Sequence, residues 1–99
     1  MVRFSWDINK NVQNIKKHKV SFEEASTVFD DENGILINDP DHSIDEERFI
    51  LIGFSARANM LIVCHCYIEA DGEDDIVRII SARKPTKSES KVYLESNDL

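Results

Sequence analysis

Two stretches of this 99-residue chain carry side chains that can act on phosphate. In residues 78–84, RIISARK, an apolar strand is entered and left by cations and runs into a Pro-Thr helix start at Pro85 and Thr86. Such a strand places fixed positive charge at the rim of a sheet, which phosphate chemistry needs and an ordinary salt-bridged edge also uses. In residues 17–25, KHKVSFEEA, a basic helix end with His18 meets the start of a second helix. Histidine exchanges protons near neutrality because its unperturbed pKa is about 6.5, and the planar fork of arginine matches two phosphate oxygens. Together these residue types suit a site that cuts nucleic acid. The histidines are His18, His42 and His65; the arginines in or beside predicted strands of the central and C-terminal chain are Arg48, Arg57, Arg78 and Arg83.

The net charge of −7 opposes a polyanion as partner. Its distribution softens that reading. Residues 10–19 hold Lys10, Lys16, Lys17 and Lys19 and no acid, and residues 78–91 hold Arg78, Arg83, Lys84, Lys87 and Lys91 against Glu89 alone. Between them, residues 23–47 carry Glu23, Glu24, Asp30, Asp31, Glu32, Asp39, Asp41, Asp45, Glu46 and Glu47, with no Lys or Arg. If the two basic segments meet in the fold, one positive face sits on an acidic body. If they stay apart, the acidic balance decides against nucleic acid.

The length allows one domain, residues 1–99, with a single core. No apolar run approaches the roughly 18–20 residues of a membrane span, and the N-terminus turns polar by Asp7 without a signal-peptide core, so a cytoplasmic protein with no membrane partner is expected. Cys64 and Cys66 lie two apart in a predicted strand, side by side on one face, a poor framework for a disulfide. Alternation puts His65 opposite both thiols, so the Cys-His-Cys run makes a poor metal site; neither metal nor other cofactor is expected.

The elements that must position these groups follow from pattern. Val2 to Ser5 reads as a short strand or an apolar lead-in. Asp7 is an N-cap, and Ile8, Val12 and Ile15 recur at i, i+4 and i+7, one stripe of an amphipathic helix whose last turn holds Lys16, Lys17 and His18. Ser21 with Glu24 reads as a capping box, with Val20 placed to staple onto Ala25, and Phe22, Ala25, Ser26 and Phe29 as the buried side of the second helix. Strands are predicted over 35–38, 48–55, 60–69 and 76–82, with a polar loop over 38–47 containing Pro40 and His42, and a turn at 70–73. Thr86 and Glu89 start a C-terminal helix running to about Leu94. The order is helix, helix, a meander of about four antiparallel strands, then helix: an α+β fold.

These residues resemble a known family. The run from Trp6 to Phe29 (WDxxKNxxNxxKHxVSFEEAxxVF), the acidic loop, Glu47-Arg48, the strand pair and RIISARKxTxxE through Tyr93 are similar to BrnT toxins, over nearly the whole chain and in order. The resemblance implies a RelE-like fold and an RNA-cleaving toxin of a type II toxin–antitoxin pair that inhibits translation. It also implies a cognate ribbon-helix-helix antitoxin, BrnA-like, which silences the toxin and through which alone it meets DNA. Lys19 stands where the family commonly has glycine after the histidine. A glycine there would be the left-handed residue that ends a helix, so lysine must hold that conformation under strain or end the helix differently.

Metal-free RNA cleavage sends the 2′-OH onto the neighbouring phosphorus. A base takes the hydroxyl proton, an acid protonates the leaving 5′ oxygen, and cations stabilise the charge on the phosphorane. Residue type makes His18 and His65 the acid/base candidates and Arg48, Arg78 and Arg83 the phosphate ligands, with Lys17, Lys19 and Lys84 as RNA contacts. Each has a structural alternative: His18 as a helix-end charge, His65 as a half-buried strand histidine, Arg48 and Arg78 as partners of the abundant carboxylates. Alternation in a regular last strand sets Arg78 and Arg83 on opposite faces unless a bulge intervenes. Trp6 and Phe4 read as core before base-stacking platform, and His42 as solvated. The rival function is a non-catalytic protein-interaction module that keeps the toxin fold, favoured by the acidic net charge.

Overall fold

The computed structural model describes residues 2–39, 46–69 and 75–98. Along the chain come β1 (Arg3–Ser5), α1 (Ile8–His18), α2 (Phe22–Thr27), a 3-10 turn (Val28–Asp30), β2 (Ile35–Asn38), β3 (Phe49–Phe54), β4 (Met60–Glu69), β5 (Asp75–Arg83) and α3 (Lys87–Ser96). This is the α+β order expected, with one correction. The sheet has five strands in the order β1-β5-β4-β3-β2, and it is mixed, because β1 runs parallel to β5. Three residues are too few for an alternating pattern to declare a strand. The turn predicted at 70–73, and Pro40 and His42 of the acidic loop, lie outside the described residues.

Caps fix the helices. The Asp7 carboxylate accepts from the Asn9 and Lys10 N–H groups at 2.8 and 3.1 Å and starts α1. At its other end Lys19 itself takes the left-handed conformation, φ 61° and ψ 27°, and donates its N–H to Ile15 O at 2.9 Å. The helix therefore ends as it would on glycine, with lysine carrying the strain. Ser21 accepts from the Glu24 N–H at 3.0 Å. The expected box is only half made, because the Glu24 carboxylate accepts instead from Ser55 Oγ at 2.6 Å and Asn59 Nδ2 at 2.9 Å, tying α2 to the β3–β4 turn. Thr86 and Glu89 form the complete box at the start of α3.

The main core lies between α2 and one face of the sheet. Val20, Phe22, Ala25 and Val28 pack on Leu51, Leu61, Val63, Val77, Ile79 and Ala82, with Phe4, Trp6 and Phe29 at the margin. On the opposite face α3 sets Tyr93 over Ile52 and Ile62. Among the described residues no other helix covers that face along β5.

The apolar stripe of α1 does not join the core. Ile8, Val12 and Ile15 are exposed, and the side turned to the sheet carries Asn11, Asn14 and His18. The cause is the edge of β5. β1 pairs only with Ile76, Val77 and Arg78, so the outer edge of β5 lacks a strand from there on. Buried Asn14 takes its place: Nδ2 donates to Ala82 O at 2.7 Å and to Val20 O at 2.8 Å, and Oδ1 accepts from the Ala82 N–H at 3.1 Å. A side-chain amide thereby satisfies backbone groups that would otherwise be buried without partners.

β4 alternates strictly; β5 does not. Cys64 pairs with Ser81 but His65 pairs with Ile79, which leaves Ile80 as an extra residue in β5. Val77 and Ile79 before the bulge and Ala82 after it all face the core. Arg78, Ser81 and Arg83 share the other face. The bulge thus overturns the regular-strand expectation that separates Arg78 from Arg83.

Candidate active site

The bulge creates a cleft. On the open face, Asp39, Arg48, Cys64, Ser81 and Arg83 surround a depression of about 360 Å³ floored by Ile50, Ile62 and Ile80. Beside it lies a second depression of about 190 Å³, lined by Lys10, Gln13, Asn14, Lys17 and His18 and again by Ile80 and Ser81. The two meet at the bulge, so the basic segments 10–19 and 78–91 converge. Arg48 and Arg83 stand on one side of Ser81, and Lys10, Lys17 and His18 on the other.

Arg83 is held in the cleft by a carboxylate. Its Nη1 and Nη2 donate to the two carboxylate oxygens of Glu89 at 2.7 and 2.8 Å, and Nη1 also donates to Lys84 O at 3.3 Å. This paired fork raises the Arg83 pKa and holds the Glu89 carboxyl down at about 2. Glu89 is itself fixed by the Thr86 N–H at 2.8 Å, so the start of α3 orients the arginine. Nε–H and the second Nη2–H remain, and they form one edge of the guanidinium. That edge can grip two phosphate oxygens while Glu89 stays in place.

The other candidates divide. Arg48 lies just before β3, 3.9 Å from Glu46, and lines the cleft. Arg78 shares its face but not its depression: its strand partner Cys66 lies four β4 residues from Ile62, the partner of Arg83, about 13 Å at 3.3 Å per residue. There Arg78 Nη1 donates to Ser5 Oγ at 3.2 Å. Lys19 and Lys84 are exposed and stand outside both depressions.

His65 is not brought to the cleft. It is fully buried on the core face of β4, with Nδ1 3.1 Å from Val63 O and Nε2 3.4 Å from Tyr67 Oη. The rings of Phe29, Phe49 and Tyr67 enclose it at centroid distances of 4.8, 6.0 and 5.3 Å. Burial pushes its pKa down, which suits a neutral ring that packs. Burial likewise pushes the Cys64 and Cys66 thiols up, and the Glu46 carboxylate adds to this at Cys66.

Three residues at the cleft escape a reading by residue type. Ser81 sits at the junction of both depressions, and only the bulge reveals it. Glu89 reads as a cap and proves also to be the partner of Arg83. Asn14 left one signal, an asparagine in mid-helix where its propensity is poor.

Comparison with known proteins gives two results. A family model described as the ribonuclease toxin BrnT of type II toxin–antitoxin systems matches residues 6–89. Among solved structures, the fold is similar to that of the ribonuclease toxin BrnT of Brucella abortus. The TM-score is 0.61 at 19% identity, covering 88% of this chain and 100% of that one. At that identity the likeness speaks for the fold. No curated relative matches.

Proposed function

Because this chain belongs to the BrnT family of ribonuclease toxins of type II toxin–antitoxin systems, we propose that it cuts RNA, without a metal ion, in the cationic cleft astride the β5 bulge. The observation that carries this reading is the meeting of Lys10, Lys17 and His18 with Arg48 and Arg83 around Ser81. An RNA strand crossing the bulge sets its scissile phosphate against the free edge of Arg83 and against Arg48. His18, across Ser81, takes the 2′-OH proton as the oxygen attacks phosphorus and the 5′ oxygen leaves. The departing oxygen takes its proton from solvent. Arg83 and Arg48 stabilise the charge that builds on the phosphorane, Arg83 with little reorganisation because Glu89 already holds it. Lys17 steers the neighbouring backbone. Arg78, Lys19 and Lys84 contact RNA beyond the cutting point, and His65 holds the core beneath it.

In this reading the toxin acts in the cytoplasm, inhibits translation, and is silenced by a BrnA-like ribbon-helix-helix antitoxin that alone links it to DNA. Among the described residues no helix is long and apolar enough to cross a membrane.

The test is RNA cleavage by purified protein in a chelating buffer, unaltered and with His18→Gln. Cleavage should survive the chelator and fall by about 10²-fold or more in the variant, within the range for losing an acid–base group, with the melting temperature unchanged. Full activity in a folded His18→Gln protein would remove His18 from the chemistry. Arg83→Ala is the poorer probe, because it also strips Glu89 of its partner and loosens α3.

A further inference from the structure

α1 holds its aliphatic side chains in water. Ile8, Val12 and Ile15 fall within about 60° of one another at 100° per residue, and they are 76, 46 and 41% exposed. The helix cannot roll to bury them. Doing so would pull Asn14 away and leave the Ala82 N–H, the Ala82 carbonyl and the Val20 carbonyl without partners. An aliphatic stripe kept outside by the fold's own hydrogen bonds is a surface that suits a partner.

The rim of the stripe selects that partner. Lys16 follows Val12 by four residues, which sets it beside the stripe; Lys19 ends the helix just beyond Ile15, and α1 itself carries no acid. RNA would suit the lysines but leave the aliphatics unused. A second copy would suit the aliphatics but press one lysine-rich helix against another. A protein that is both aliphatic and acidic satisfies the whole surface.

We propose that the outward stripe of α1 is the anchor for the antitoxin, which lays an acidic amphipathic helix across it. Aliphatic side chains at i, i+4 and i+7 of that helix cover Ile8, Val12 and Ile15, and its carboxylates face Lys16 and Lys19. The other flank of α1 carries Lys10, Lys17 and His18 into the cleft. At 100° per residue Lys10 and Lys17 lie about 180° from the stripe, so a helix seated there grips the toxin on the side of α1 away from the cleft. The inference rests on a protein antitoxin as partner and not on which side chains cut RNA.

The experiment uses the purified cognate antitoxin and the double variant Val12→Glu, Ile15→Glu. By titration calorimetry its affinity should drop by roughly 100-fold or more, the scale of losing hot-spot anchors, while RNA cleavage by the free variant stays as before. Unchanged antitoxin affinity overturns the inference. So does unchanged affinity with lost cleavage, which would give the stripe to the RNA path. Hydrogen exchange on the unaltered complex guards against a variant that fails to fold: amides 12–19 should slow on binding, and unaltered exchange there overturns the inference by itself. His18→Gln, run in parallel, should keep its antitoxin affinity, so failure of the cutting site and failure of the docking stripe read out separately.

Discussion

Lys19 holds a backbone conformation that glycine holds without strain. A left-handed residue with a Cβ carries roughly 1–2 kcal/mol of steric cost, and among the described residues the Lys19 side chain makes no hydrogen bond or ion pair that offsets it. Lys19→Gly should therefore stabilise the fold by about 1 kcal/mol, seen as a melting temperature higher by about 4–8 °C. An unchanged or lower melting point would show that the lysine is unstrained there. At the same scale, the two histidines show what residue type can and cannot tell. Both suit acid–base chemistry. Alternation already set His65 on the face of Leu61 and Val63, and that apolar company, more than its chemistry, described its fate. His18 was legible as the end of a basic helix, but its meeting with Ser81 depends on contacts across the whole chain.

α3 is the element through which the cleft and the fold hold each other. Its start fixes Arg83 through Glu89, and its Tyr93 hydroxyl donates to Asp31 at 2.8 Å. Asp31 also accepts from the Asn33 and Phe54 N–H groups, and although burial opposes its charge, these bonds hold its carboxyl below its usual range; burial and that carboxylate push Tyr93 up to about 12. Glu89, at about 2 when folded against an ordinary 4.5, contributes stability above pH 4.5 and loses it as the pH falls toward 2. Glu89→Gln keeps an acceptor for the Thr86 N–H and removes the charge. Urea midpoints of the two proteins should differ by a constant amount above pH 4.5 and converge below it; a gap that persists undiminished in acid would mean that the Arg83 pair adds nothing. The elements themselves were largely legible, since β2 and β4 lie where alternation and turn residues placed them. The β5 bulge was not. Ile-Ile-Ser-Ala reads equally well in either parity, and only pairing with β4 chooses.

At the scale of the molecule, the acidic sum and the basic cleft are reconciled by distance. The fold spans 40 × 29 × 27 Å, whereas charges are screened over about 8 Å at physiological salt. Acids across the body therefore barely reach the cleft, where Asp39, Glu46 and Glu89 are the near carboxylates among the described residues. If Lys10, Lys17, Arg48 and Arg83 each meet a phosphate of single-stranded RNA, log affinity should fall against log salt with a slope of about −3. A flat dependence would remove the cleft as the RNA path. The same architecture also bears on the order of assembly. Ser5 meets Arg78 across 73 residues of chain, and Asn14 reaches Ala82 across 68. Closures of that span are slow and must wait for residues that synthesis makes late. Lys10, Lys17 and His18 leave the ribosome before Arg48, and Arg48 before Arg83, so if the proposed site is the cutting site a nascent chain has no place to cut RNA until β5 emerges, and translation is spared its own toxin until then.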